Sequence, residues 1–208
     1  MLQKILLSCG ILAPLLYIGT DLLAGKLNEG YNFYAQSMSD LSAIGSPTRA
    51  LLIVLTLLAS FFMIAFGVGV WQIAGPAIFS RIVAGLILGN AIFGLVATLF
   101  FPNRFGERPE FGTVGVVLMF ISVLCFLFAM IFGAVAFQNW MRILSIAVPV
   151  SYLLLAIFRF TTASSSAEGG VILIGIQERT MAYSFLVWVI VLAIYLLLQH
   201  DTASRISG

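Results

Sequence analysis

The sequence predicts an all-α fold: a polytopic membrane helix bundle of six transmembrane helices, forming one domain over residues 1–208. Three observations carry this. Of the residues, 62% are hydrophobic and 9% charged, against roughly 45–50% and about 25% in soluble globular chains. Six apolar stretches reach, or nearly reach, the about 20 residues a helix needs to cross a bilayer. The ionisable residues fall almost entirely between those stretches.

The first stretch covers residues 5–25, broken only by Asp21 in its last turn. Lys4 before an apolar run resembles the start of a signal peptide, but the run is too long and no clean small-x-small site follows, so it reads as a retained helix. The second, about 50–73, is stopped by Gly75-Pro76. The third, 82–101, ends before Pro102, and the fourth covers about 113–137. The fifth, 143–158, is the shortest and contains Pro149; the sixth, 180–199, carries no charge.

Composition also excludes several classes. The net charge of +2 is too small and scattered for a nucleic-acid surface. Disorder needs the opposite composition, and Cys9 and Cys125 sit in apolar runs rather than a disulfide framework. The only histidine, His200, leaves no intramembrane His-ligated haem, no usual zinc site and no Ser-His-Asp triad on the opposite face. No phosphate-binding glycine motif occurs in strand–helix context. A carboxylate-only Mg²⁺ or Ca²⁺ site from Asp21, Asp40, Glu107 or Glu178 fits the residue types, yet no spacing selects it, so neither metal nor cofactor is expected.

The positive-inside rule counts Lys and Arg near helix ends. Lys4, Arg81, Arg142 and Arg205 lie on one side in short connections with Asp201 the only acid. Lys26, Arg49, Arg104, Arg108, Arg159 and Arg179 lie on the other, in long connections rich in acids. The short connections decide the orientation: both termini cytoplasmic in the cell membrane, with the polar connections 26–49, 102–112 and 159–179 outside.

Those outer connections hold the candidate site residues. Gly30-Tyr31-Asn32-Phe33-Tyr34 supplies aromatics suited to the headgroup level. Ser37-Met38-Ser39-Asp40 has the spacing of a capping box, with Leu41 to Ile44 continuing a short helix, Gly45 ending it, and Ser46-Pro47 opening helix two. Ser37 and Asp40 are either simple caps, or Asp40 stands over the bundle mouth as a ligand or proton group. Asp21 is an acid inside an apolar helix, which costs about 2.5–3.5 kcal/mol at mid-membrane. It serves a function or pairs with Lys26 or Arg49. Arg159 either snorkels to headgroups or turns inward. Glu178-Arg179 opens the last helix; Glu178 suits the dipole there, whereas Arg179 opposes it and calls for a partner such as Asp21, Asp40 or a lipid phosphate. In the third stretch, Gly85, Gly89, Asn90 and Gly94 suit close packing with an interhelical hydrogen bond.

Three segments together carry a resemblance: Gly30-Tyr31 with Ser37-Met38-Ser39-Asp40-Leu41-Ser42-Ala43-Ile44-Gly45-Ser46-Pro47-Thr48-Arg49; Phe101-Pro102; and Gly175-Ile176-Gln177-Glu178-Arg179 with Trp188. The whole chain resembles the six-helix bacterial and archaeal membrane family catalogued as domain of unknown function 998, itself similar to DRAM-like membrane proteins. The resemblance implies a six-helix fold and puts weight on Ser39, Asp40, Pro102, Glu178 and Arg179. Members often carry an acid soon after Phe-Pro and a histidine early in helix four, where this chain reads Asn103-Arg104 and Gly112 to Val116.

The leading functional expectation is binding or transport of a lipid or other amphiphile. An outward polar cluster drawn from Asp21, Ser39, Asp40, Arg104, Arg159, Glu178 and Arg179 would grip the head. The expected partners are membrane lipids, an amphiphilic small molecule and a membrane-protein partner, not nucleic acid. Two alternatives stand beside it: an accessory or scaffold subunit of a membrane complex, and an intramembrane carboxylate-dependent enzyme.

Overall fold

The computed structural model describes residues 1–101, 113–165 and 174–206, with side chains of 113, 155–165, 174 and 203–206 left aside. Among the described residues the structure is all helical, with seven helices and no strand. They are α1 (Leu2–Leu27), α2 (Met38–Leu41), α3 (Arg49–Ala74), α4 (Ile78–Phe100), α5 (Thr113–Ala136), α6 (Asn139–Ser165) and α7 (Ile174–Ile206). Five of the helices are long and apolar enough to cross a membrane: Leu2–Leu27, Arg49–Ala74, Ile78–Phe100, Val114–Ala136 and Gly175–Thr202. The chain is a membrane protein.

α5 covers nearly the expected stretch, whereas the other long helices are longer than the sequence expectation. Hydropathy marks the part of a helix that suits hydrocarbon, while backbone bonds continue into the interface, where water satisfies the final turns. So α4 starts at Ile78 rather than 82, and α6 runs for 27 residues with Pro149 inside it rather than ending near 158. α7 starts at Ile174, not at Thr180, so Arg179 stands beyond the first turn, where the dipole penalty invoked for it has largely faded. Lys26 in the last turn of α1 suits that helix's dipole. α3 stops at Gly75, whose φ of +52° a side chain rarely adopts. Asn139, also left-handed at φ +56°, follows the two-residue connection that reverses the chain between α5 and α6.

The turn before α3 is also built differently from the expectation. α2 ends at Leu41, not near Ile44, and α3 begins at Arg49 behind Thr48, not at Pro47 behind Ser46. The Ser46 hydroxyl is 3.1 Å from that of Thr48, and Thr48 donates to the Leu41 carbonyl. These hydroxyls staple the turn to the end of α2 instead of capping α3.

The long helices pack in a ring: α1 on α3, α3 on α4, α4 on α5, α5 on α6, α6 on α7, and α7 back on α1. Leu7, Phe66, Ile87, Met130, Met141, Trp188 and Leu192 are fully buried at its centre. Between α4 and α5, Asn90 donates to the Ser122 carbonyl and lies 3.0 Å from its hydroxyl, as that residue's position among small neighbours suggested. Gly89 faces Cys125 of α5, whereas Gly85 is exposed and takes no part in this seam. Trp188, with no exposed surface, satisfies its indole N–H on Ser145 of α6.

Candidate functional site

The C-terminal part of α1 and the N-terminal part of α7 meet at one end of the bundle, and the segment between α1 and α3 folds over them. Its local chemistry sets that fold. Ser37 is the N-cap of α2, and its backbone N–H donates to Asp40 Oδ2 at 3.1 Å, completing the capping box. Asp40 is partly buried, and this burial pushes its carboxyl above the usual range, partly offset by the Ser37 N–H. Asn32 turns the chain ahead of it, its side-chain oxygen accepting from the N–H groups of Tyr34 and Ala35.

Arg179 is the hub. Its Nε donates to Asp21 Oδ2 at 2.8 Å and its Nη2 to Asp21 Oδ1 at 3.0 Å, a bidentate pair between the last helix and the first. Nη2 also reaches the Tyr31 hydroxyl at 2.7 Å, and Nη1 reaches the carbonyls of Phe33, Gln36 and Gly175 at 3.0, 3.2 and 3.3 Å. Six oxygens therefore surround five N–H donors. The rings of Phe33 and Tyr31 lie 4.7 and 5.5 Å from its guanidinium carbon, adding cation–π attraction. Tyr183 donates to Asp21 Oδ2. Tyr31 donates onward to the Ser37 carbonyl at 2.6 Å, and burial pushes its phenol up to about 12, so it stays a donor at neutral pH.

Gly175 allows this close approach. A Cβ there would strike the Phe33 and Gln36 carbonyls that Arg179 holds. One turn of α7 thus receives the backbone of the segment 31–38, and the N–H of Ile176 donates to the Tyr34 carbonyl.

Glu178 does different work. Its Oε2 accepts from the Ser37 hydroxyl at 2.5 Å and from the Met38 N–H at 2.8 Å, fixing α2 on the end of the bundle. Beside α2 lies a partly open cavity of about 300 Å³ lined by α1, α2, α3, α4, α5 and α7. Asp21, Ser39, Ser42 and Glu178 line its end near α2. Thr56, Ser60, Asn90 and Ser122 also line it, and Ala59, Met63, Phe126, Phe185 and Leu186 are among its apolar walls.

A family model described as "Protein of unknown function (DUF998)" matches residues 11–195. The chain belongs to the DUF998 family. The match takes in all of this cluster and the cavity beside it. No curated protein and no solved structure matches the chain.

In this DUF998 protein, the candidates Asp21, Ser39, Asp40, Glu178 and Arg179 come together at one end of the bundle. Asp21 pairs with Arg179 rather than with Lys26 or Arg49, and Arg49 donates to the Ser42 carbonyl at 2.6 Å. Arg104, Glu107 and the side chain of Arg159 lie outside the described residues. Among the described residues no group of three His, Cys, Asp or Glu gathers in a way that could hold a metal ion. Sequence reasoning missed Tyr31 and Tyr183 as partners of the ion pair, and Thr56 and Ser60 as cavity hydroxyls. Spacing gives a signal for the last two, since they lie one turn apart on α3.

Proposed function

We propose that this DUF998 protein binds a small amphiphile, a lipid or lipid-like molecule, in the cavity beside α2. The observation that carries the reading is the lining: mainly apolar walls with polar groups gathered at the end near α2, at a volume near the lower end of ligand sites, about 300–1,000 Å³.

We further propose six crossings with both termini cytoplasmic and the α2 end of the cavity outside. Parity supports this. Lys4 at the start of α1 and Asp201 near the end of α7 form an ion pair of 2.6 Å, so both termini lie at one end of the bundle. That requires an even number of crossings, and α6, about 40 Å long, supplies the sixth beside the five apolar helices. The basic residues of the short connections orient that end inward.

Native mass spectrometry of the detergent-purified protein tests the binding. The expected result is a retained lipid-sized adduct on the wild type and its loss in Ala59→Phe, which fills the cavity from a buried position on α3. Equal adducts on both proteins, or none on the wild type after purification and lipid add-back, would overturn the reading.

A further inference from the structure

We infer that the head group this cavity selects is a primary ammonium rather than a phosphate, carboxylate or plain hydroxyl; this rests on the proposed binding of an amphiphile there. Three observations converge on it. First, the obvious anion-binding group is fully engaged. Arg179 is surrounded by six protein oxygens and does not line the cavity, so an incoming phosphate would have to displace Asp21, Tyr31 or a backbone carbonyl to reach it.

Second, acceptors remain unused along the cavity. Glu178 uses Oε2 for both its donors, leaving Oε1 without a hydrogen bond among the described residues. Among the described residues Asp21 Oδ1 accepts from Arg179 Nη2 alone, where a carboxylate oxygen takes two donors. The amide N–H₂ of Asn90 is spent on Ser122, leaving its carbonyl oxygen toward other partners. An ammonium offers three donors and no acceptor, the complement of this set.

Third, the charges along the wall are of one sign. Among the described residues lining the cavity the ionisable carboxyl groups are Asp21 and Glu178, and no Lys, Arg or His joins them. Arg179 balances Asp21, so Glu178 faces the cavity as the unbalanced group. A phosphate head beside it is disfavoured by like-charge contact, whereas a cation is attracted. The hydroxyls of Thr56 and Ser60, which hydrogen-bond to none of the described residues, accept or donate equally and so hold a polar head without discriminating between heads.

The test compares decylamine, decanol and decyl phosphate by titration calorimetry on the purified full-length protein in neutral maltoside micelles. Ala59→Phe serves as the blank for partition into the micelle. The expected result is saturable decylamine binding at least tenfold tighter than that of the other two. Glu178→Gln keeps one carbonyl oxygen for Ser37 and Met38 but turns an N–H₂ toward the cavity, and should erase that preference. Saturable binding of decanol or decyl phosphate as tight as decylamine would overturn the ammonium inference and leave the amphiphile reading standing. A decylamine preference unchanged in Glu178→Gln would overturn the role of Glu178. No saturable binding of any probe, together with no lipid adduct in the mass spectrum, would remove both. The wild-type comparison decides the head-group question even if Glu178→Gln fails to fold.

Discussion

At one end of the seam between α1 and α7, Arg179 and Asp21 are 9% and 3% exposed; at the other, Lys4 and Asp201 are 50% and 48% exposed. Both pairs join the same two helices by a charge–charge contact shorter than 3 Å. Their energetics differ because their solvents differ. The exposed pair, with the neighbouring contact of 3.1 Å between His200 and Gln3, is screened by water and salt, and such pairs contribute about 0–1 kcal/mol. The buried pair has lost its hydration, and its charges stand because every N–H donor of Arg179 is matched and both Asp21 oxygens accept from the guanidinium. The exposed end fastens the helices loosely; the buried end sets their register and holds the 31–38 segment above them.

Breaking the buried end should give the largest effect. Asp21→Ala leaves a buried guanidinium without its carboxylate, and removal of one partner from such a pair costs about 3–5 kcal/mol. Thermal unfolding in detergent should fall steeply, and a variant melting within a degree of the wild type would mean that the pair sets nothing. Gly175→Ala sharpens the comparison by leaving all the charges in place. Its methyl displaces the Phe33 and Gln36 carbonyls, an overpacking cost of about 1–3 kcal/mol, and proteolysis in the 28–37 segment should rise with it. Lys4→Ala should cost at most about 1 kcal/mol, and the difference from wild type should shrink further as salt rises. A salt-insensitive loss as large as that of Asp21→Ala would erase the distinction between the two ends.

What could be read from the sequence follows the same division. The meeting of Arg179 with a carboxylate was legible because each residue was anomalous where it stood, and a hydrocarbon environment leaves few ways to resolve two anomalies. The capping box was legible because Ser37 and Asp40 act at a fixed local spacing. The other ligands of Arg179 were not legible, since the carbonyls of Phe33, Gln36 and Gly175 belong to the backbone and carry no residue signature. Nor did the helical state of Ile174 to Arg179 show itself, because the uncharged run from Thr180 set the expected start. Ser46 and Thr48 misled for a related reason: a hydroxyl before an apolar run suits an N-cap, and equally suits a bond to the preceding turn. Membrane placement was legible throughout because it depends on composition alone.

The distance along the chain between Asp21 and Arg179, 158 residues, has a meaning in time as well as in space. At about 5–20 residues per second of synthesis, Asp21 is made about 8 to 32 seconds before its partner. Through that interval α1 carries an acid whose partner in the finished bundle, Arg179, has not yet been made. Arrival of the last helix is therefore also the chemical completion of the first. A chain truncated before Arg179 would expose in the bilayer the very group by which quality control could distinguish it from the finished protein.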